Sequence, residues 1–369
     1  MFKFTINAKE LGVIQALDKL ASNNNKALSA MSLLLMEVSG QTVRLTASNA
    51  EARMTATLQP VEIEGDGTVC VEPKKLGALA KAIGELPVTI AYTDSNVVIT
   101  SPNGKYGLGA NDAEYYPKAE IITGTHFDMQ AADLAKGIKS TVFAAASDVA
   151  YHTQLQGVQI VFSPDKITFN ATDTHLLTQW SITQTNSETA AIVVPTKSAQ
   201  MIASICENAC DEVSLTVADK GLIITAGAIE FTTTLVAGNF PDVERVLPKK
   251  TKIEAQVDAA TLRTALSRVA ILANDRVPSI SISIDANGQI RLSTADKDTL
   301  RYASETIYGT ANDALDVNFD YKVLAGAVSC FTDELVIRAN NGASSVLFTP
   351  AEDDEKTKYR VLAMPMRVD

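Results

Sequence analysis

Three histidines, His126, His152 and His175, are the side chains of this chain best placed to carry a proton near neutral pH. None stands at metal-ligand spacing from another histidine or from a cysteine. The four cysteines, Cys70, Cys206, Cys210 and Cys330, are spread too thinly for a disulfide framework. Cys206 and Cys210 stand four residues apart at the end of one predicted helix, and no further ligand completes a metal set beside them, so all four read as reduced structural thiols. There is no Gly-x-Ser-x-Gly elbow and no phosphate-binding loop. Carboxylates are plentiful but scattered, and the run Asp353-Asp354-Glu355 reads as a solvated turn. These absences predict no metal, no cofactor and no enzymatic activity.

Cations are the more informative charged residues. The formal net charge is -11, which by itself opposes binding to phosphate. Net charge is an average, however, and local placement decides. Lys9, Lys19, Lys74, Lys75 and Lys81 fall on the first two predicted helices, Lys136, Lys139 and Lys197 on the next two, and Arg263, Arg268 and Lys322 on the last two. Every one of the six predicted helices thus carries a cation off its apolar face. Two readings stand at this level. Either these are ordinary solvated helix faces, or the helices line one basic surface whose contacts would be to phosphates and independent of base sequence.

The helices belong to a repeat. Ile167 to Leu177 reads ITFNATDTHLL, a half-buried strand that runs through a polar turn into a second strand. Val43 to Met54 (VRLTASNAEARM) and Ile290 to Leu300 (IRLSTADKDTL) repeat the phrase, at intervals of about 124 residues. First helices are predicted to begin near residues 8, 131 and 259, and second helices near 73, 195 and 320. Their predicted extents are Ala8–Ala21, Pro73–Leu86, Ala131–Ala146, Pro195–Asn208, Ala259–Leu272 and Tyr321–Ser329. Leu11, Ile14, Leu17 and Leu20 mark the buried stripe of the first helix, and Leu134, Ile138 and Val142 that of the third. Each copy also offers about eight short strands. The expected fold is α+β, with three tandem domains at residues 1–122, 123–250 and 251–369, each packing two helices on antiparallel sheet. With 369 residues, each copy can bury its own core. No apolar run approaches a membrane span, and MFKFTINAKEL lacks a signal-peptide core, so a cytoplasmic protein with no membrane partner is expected.

The triplication, with TDTHLL, NFPDVERVLP, RVAILAND and the terminal MPMR, resembles the β sliding clamp, the processivity subunit of bacterial replicative DNA polymerase. The resemblance covers essentially the whole chain. It implies that each chain is half of a ring, closed head to tail as a homodimer around double-stranded DNA. It also implies a hydrophobic groove between the second and third domains for short peptides of the replicative polymerase, the clamp loader and repair proteins. Groove positions implied by the resemblance are Thr172, Thr174, His175, Leu176, Leu177, Pro241, Arg245, Val246, Val277, Asn318, Tyr321, Ser345, Leu362, Ala363, Met364, Pro365, Met366 and Arg367. Those implied for DNA are Lys26, Lys74, Lys75, Lys81, Lys136, Lys139, Tyr151, Lys197, Arg263 and Lys322. The protomer contact falls near Tyr106 and Leu108 in the first domain and Ile271 and Leu272 in the third.

The chain departs from the family pattern at several points. Leu176 stands where a groove arginine is usual, Val277 where an aromatic is frequent, Ala363 where a larger aliphatic is common, and Ala150 in place of an arginine before Tyr151. These departures predict a groove that takes apolar peptides with a shifted preference. They also leave a second reading, a repeat-built interaction scaffold that keeps the fold and groove without encircling DNA.

Overall fold

The computed structural model describes residues 1–21, 29–93, 95–119, 122–147, 153–209, 211–296, 299–352 and 354–366. Lys26, Tyr151 and Arg367, together with His152, Cys210 and Asp353, lie outside the described residues.

The first copy contains β1 (Phe2–Asn7), α1 (Ile14–Ala21), β2 (Leu34–Ser39), β3 (Thr42–Ser48), β4 (Ala52–Leu58), β5 (Glu62–Glu64), β6 (Gly67–Val71), α2 (Pro73–Ile83), β7 (Pro87–Thr93), β8 (Asn96–Ser101) and β9 (Gly104–Gly109). The second contains β10 (Thr125–Gln130), α3 (Ala131–Lys139), β11 (Gly157–Phe162), β12 (Lys166–Thr172), β13 (Leu176–Thr183), β14 (Ala190–Pro195), α4 (Thr196–Ala209), β15 (Glu212–Val217), β16 (Gly221–Ala226) and β17 (Ile229–Thr234), then the one-turn helix α5 (Val243–Val246). The third contains β18 (Ile253–Asp258), α6 (Ala259–Ala270), β19 (Ser279–Ile284), β20 (Gln289–Asp296), β21 (Arg301–Tyr308), β22 (Thr310–Ala311), β23 (Leu315–Asp320), α7 (Tyr321–Ser329), β24 (Glu334–Ala339), β25 (Val346–Pro350) and β26 (Thr357–Ala363). With the short β5 and β22 set aside, each copy runs strand, helix, four strands, helix, three strands.

Within each copy the first strand pairs with the first of the last three, which continue the same sheet, and the middle four pair among themselves. The middle copy then shares both of its sheets. Its last strand, β17, pairs antiparallel with β4 of the first copy, with Phe231 opposite Met54. Its β13 pairs antiparallel with β26 of the third, with Leu177 opposite Leu362. The result is an eight-stranded sheet in one compact unit (residues 1–132 with 204–235) and a nine-stranded sheet in the other (133–203 with 236–369). A five-stranded sheet in the first unit and a four-stranded sheet in the second complete the set.

Helix α6 shows how the sequence sets these elements. Asp258 caps it, its Oδ1 accepting from the Thr261 amide at 2.7 Å, and hydrogen bonding by the Thr261 side chain, with that of its amide, holds the carboxyl below the usual carboxylate range. Leu262, Leu266 and Val269 then recur at helical spacing and join Leu324 and Val328 of α7, Ile280 and Ile282 of β19, and Phe348 and Val361 in one buried cluster.

Several helices differ from their predicted extents at the ends. Residues Ala8–Val13 form a 3-10 turn before α1, with the Asn7 side chain capping the Lys9 amide at 2.9 Å. Helix α2 stops at Ile83 because Gly84 adopts a φ of 76°. Helix α3 stops at Lys139, short of Ala146. The Thr141 hydroxyl donates to the carbonyls of Gly137 (2.8 Å) and Ile138 (3.2 Å), and a separate 3-10 turn follows at Val142–Ala144. Pro195 ends β14 rather than opening α4.

Gly137 sits inside α3, where glycine is ordinarily a poor choice. A methyl there would lie 2.6 Å from the Phe169 ring, which is itself packed on Trp180 at 5.6 Å between centroids. Gly137→Ala is therefore expected to destabilise the protein by about 1–3 kcal/mol in chemical denaturation, despite alanine's better helix propensity.

Candidate functional site

In the nine-stranded sheet, successive side chains alternate between two faces. One face meets the helices. Leu176, Val361 and Ala363 point there and belong to the core cluster with α6 and α7. The other face carries Leu177, Leu347 and Leu362, which form a separate buried cluster with Val243 and Leu247, and Phe240 packs at its edge. The segment NFPDVERVLP thus lies across the sheet, turned down by α5 so that Val243 and Leu247 meet the strands. Val246 is left 49% exposed, and Pro241 and Arg245 are also exposed. Arg245 bonds Asp242 one turn back at 2.9 Å.

Helix α5 is fixed electrostatically as well. The Glu244 Oε1 accepts from Gln179 Nε2 at 3.1 Å and from Arg360 Nη2 at 2.9 Å. Arg360 also donates to Gln179 Oε1, so strand, strand and helix share one junction. Gln179 is buried, and the pair Asn170 and Gln159 continues the polar row through a bond of 2.9 Å. Arg360 Nε and Asn170 Oδ1 are the two buried side-chain polar atoms without a partner among the described residues, and both lie in this row.

The chain's tail closes the site. The Met364 amide donates to the His175 carbonyl at 2.8 Å, and the Met366 amide to the Asn318 carbonyl at 2.7 Å. The Tyr321 amide donates to the Pro278 carbonyl at 2.7 Å, which places the exposed Val277 one residue from α7. Thr172, Thr174, His175, Leu177, Asn318 and Met364–Met366 are thereby brought together from separate stretches. Ser345 is half-buried just before β25, next to Val346 and Leu347.

Two expected members do not face the site. Leu176 and Ala363 each neighbour a floor residue, Leu177 and Leu362, and a one-residue step along a strand reverses the face. Leu176 instead packs toward α7, where a methyl on Gly326 would come within 2.9 Å of it. In the other direction, sequence reading missed Val243, Glu244, Leu247, Leu347, Gln179 and Arg360. For Glu244 and Arg360 the only sequence signal was opposite charge, and 116 residues separate them.

The turn at Thr174 is strained. Asp173 and Leu176 close a two-residue hairpin loop, and Thr174 at its first position has a φ of 82°. Positive φ there alone is the pattern of a type II′ turn, which favours glycine. The loop is held by its neighbours: Asp173 Oδ1 accepts from the amides of His175 (2.9 Å) and Leu176 (2.7 Å), and Thr172 Oγ1 from that of Thr174 (3.1 Å).

Among the helix cations Lys9 pairs with Glu85 at 2.8 Å and Arg268 with Glu305, and those expected at DNA divide into two groups. Lys74, Lys81, Lys136, Lys139, Lys197 and Lys322 are exposed. Lys75 pairs with Glu72 at 3.1 Å, and Arg263 turns inward, donating to the carbonyls of Val328 (3.2 Å) and Phe331 at the end of α7. Two edge strands carry exposed aromatic residues: β9 with Tyr106, and β21 with Tyr302 and Tyr308. Ile271 and Leu272 are exposed just after α6.

The repeat can now be compared with known proteins. Family models for the N-terminal, central and C-terminal domains of the DNA polymerase III beta subunit match residues 2–120, 128–242 and 244–367 in turn. The chain belongs to the DNA polymerase III beta subunit family. It is 26% identical to the beta sliding clamp of Pseudomonas putida over 350 residues, 93% of this chain and 94% of that one. It is 24% identical over 392 residues to the beta sliding clamp of Streptococcus pneumoniae, each chain covered in full. The solved sliding clamp from Pseudomonas aeruginosa bound to griselimycin superposes with a TM-score of 0.91 at 25% identity, covering 100% of both chains. The beta subunit from Thermotoga maritima shares the fold, with a TM-score of 0.91 at 20% identity and full coverage of both chains. Three clamp domains, the family's place in DNA replication and the antiparallel α+β architecture are thus shared with sliding clamps.

Because Thr174 holds a backbone conformation that glycine adopts freely, Thr174→Gly is expected to raise stability by about 0.5–1 kcal/mol. That is the relief of left-handed strain less glycine's entropy. The check is a shift in denaturant midpoint at unchanged slope.

Proposed function

We propose that this chain is a non-enzymatic DNA sliding clamp. In this reading two copies close head to tail into a ring around duplex DNA. The ring holds the replicative polymerase by topology, so each phosphate contact stays weak and sequence-independent. The observation that carries the reading is the way the copies join. Twice, the last strand of one copy pairs with the third of the four middle strands of the copy before it, as β17 with β4 and β26 with β13. Applied a third time, the rule leaves one last strand and one third middle strand unused, β9 and β21, and each stands at the edge of its sheet. A second copy would supply the missing partners in the same sense, and two such contacts would close a symmetric assembly. Tyr106 and Leu108 on β9, and Ile271 and Leu272 beside α6, are the side chains we assign to that contact. The exposed lysines Lys74, Lys81, Lys136, Lys139, Lys197 and Lys322 are assigned to the phosphates. Lys75 and Arg263, engaged by Glu72 and by the carbonyls of Val328 and Phe331, contribute less, and Lys139 also has a partner within the chain.

The apolar floor of Leu177, Leu347 and Leu362, walled by α5 and by Met364–Met366, is assigned as the groove that receives short apolar peptides of the polymerase, the clamp loader and repair proteins. Its Val277 and Met364 rims are aliphatic, which supports a peptide preference set by packing rather than by stacking.

The full chain should run as a dimer in light scattering, and negative-stain images should show closed rings. Leu272→Glu, which places a charge in the proposed contact, should give monomers of unchanged melting temperature. Replacing Lys74, Lys136, Lys139 and Lys197 together with alanine should weaken retention on circular DNA and flatten its dependence on salt. Monomeric wild-type protein, or retention indifferent to both lysines and salt, would favour the scaffold reading instead.

A further inference from the structure

The groove-bearing face of the nine-stranded sheet changes character along its strands. Directly opposed residues of antiparallel strands share a face. The register therefore sets out a series of rows across β12, β13 and β26. The first row is Thr172, Leu177 and Leu362, extended by Leu347 on β25. The next is Asn170, Gln179 and Arg360, the third pairs Ser181 with Lys358, and the last pairs Lys166 with Thr183. From Leu177 to Thr183 the face passes from aliphatic, through amide and guanidinium, to hydroxyl and ammonium, over a distance of roughly 20 Å.

The far end of this face is an open depression of about 620 Å³, lined by Lys166, Ser181, Thr183, Lys356, Lys358 and Arg360 among others. Arg360 also lines the smaller hollow of about 560 Å³ beside Glu244, Arg245 and Leu247, so this side chain borders both the depression and the hollow at the foot of α5. Its cations are not all free to act. Arg360 is held by Glu244, and Arg338 by Glu254. Lys166, Lys356 and Lys358 are exposed and form no ion pair among the described residues. Asp165 and Glu355 are the carboxylates of the lining. Nearby Asp354 is turned into its own loop, accepting from the Lys356 amide at 3.0 Å and the Thr357 hydroxyl at 3.0 Å.

We propose that this lysine-lined depression is a second, electrostatic subsite for the peptide segment whose apolar anchor occupies the Leu177 floor. The segment it fits carries a short acidic run, roughly four to six residues from the anchor at the rise of an extended chain. Three ammonium groups and three hydroxyls (Ser181, Thr183 and Thr349) at one end of an otherwise apolar groove match carboxylates and extended backbone. Arg360, shared by both hollows and fixed by Glu244, is the point at which such a segment crosses from one to the other. The proposal rests on the groove reading given above.

The test measures fluorescence anisotropy on the full chain with synthetic peptides that share one apolar anchor. One peptide is the anchor alone. The others extend it, on either end, with a Glu/Asp run or with a Gln/Ser run of equal length. On the wild-type protein at low salt the acidic extension, on one of the two ends, should tighten binding roughly three- to tenfold over Gln/Ser. The gain should vanish in high salt and in the triple variant Lys166→Ala, Lys356→Ala, Lys358→Ala, whose affinity for the anchor alone should match wild type. All three lysines are exposed, and the melting temperature checks that the variant folds. Anchor binding with no advantage for acidity, or an advantage that survives in the triple variant, overturns this proposal alone. An anchor that fails to bind wild-type protein overturns the groove reading and this proposal together.

Discussion

A strand at the edge of a sheet presents a row of backbone donors and acceptors that must be covered or left as an invitation to pair. The architecture of this chain follows from how those edges are used. Each copy folds its strands into two partial sheets, and each sheet of the middle copy runs on, at one of its edges, into a neighbouring copy. One is continued by β4 and the other by β26, so the repeat is joined by main-chain hydrogen bonds rather than by linkers. The compact units accordingly cut across the sequence repeat: β11–β14 belong with the third copy, while β10 and β15–β17 belong with the first.

The same pairing builds the site. Because β13 and β26 are antiparallel neighbours, Leu177 and Leu362 are fixed opposite one another, and α5 closes over them through Val243 and Leu247. Glu244 adds a directional constraint, since its carboxylate meets Gln179 and Arg360 from two strands at once. Apolar burial alone would let a one-turn helix slide across the sheet, whereas charge-assisted bonds of fixed geometry hold it in register. The row below is not fully satisfied, with Asn170 Oδ1 and Arg360 Nε lacking partners among the described residues. Such a row specifies position more than it adds stability.

Much of this was legible in the residues, for reasons of range. The strand–turn–strand phrase at Ile167–Leu177, the threefold period and the helix starts are local or periodic signals, and the structure carries β12, β13 and their counterparts where those signals fall. Helix ends were harder, because Thr141 and Gly84 stop helices through hydrogen bonds and dihedrals that hydropathy does not register. The face of each strand was harder still. Alternation reveals that Leu176 and Leu177 point opposite ways, but which of them meets the helices depends on α6 and α7, more than 80 residues further along the chain. Arg263 shows the same limit for charge: its sequence position suggested an outward cation, and only the fold shows it closing the end of α7.

Strand β26 is the last strand among the described residues, yet it lies in the interior of the nine-stranded sheet, with β13 on one side and β25 on the other. During synthesis β13 must therefore wait as an open edge until Thr357–Ala363 have emerged from the ribosome. The second unit cannot complete its sheet domain by domain as the chain emerges. Its closure is a late, long-range step that loop-closure entropy makes slow. The first unit needs no strand from so late in the chain, since all of its strands have been made once Thr234 has emerged. Translation thus imposes an order on assembly, and the nascent chain is most exposed to mispairing in the interval when β13 and its neighbours are present and β26 is not.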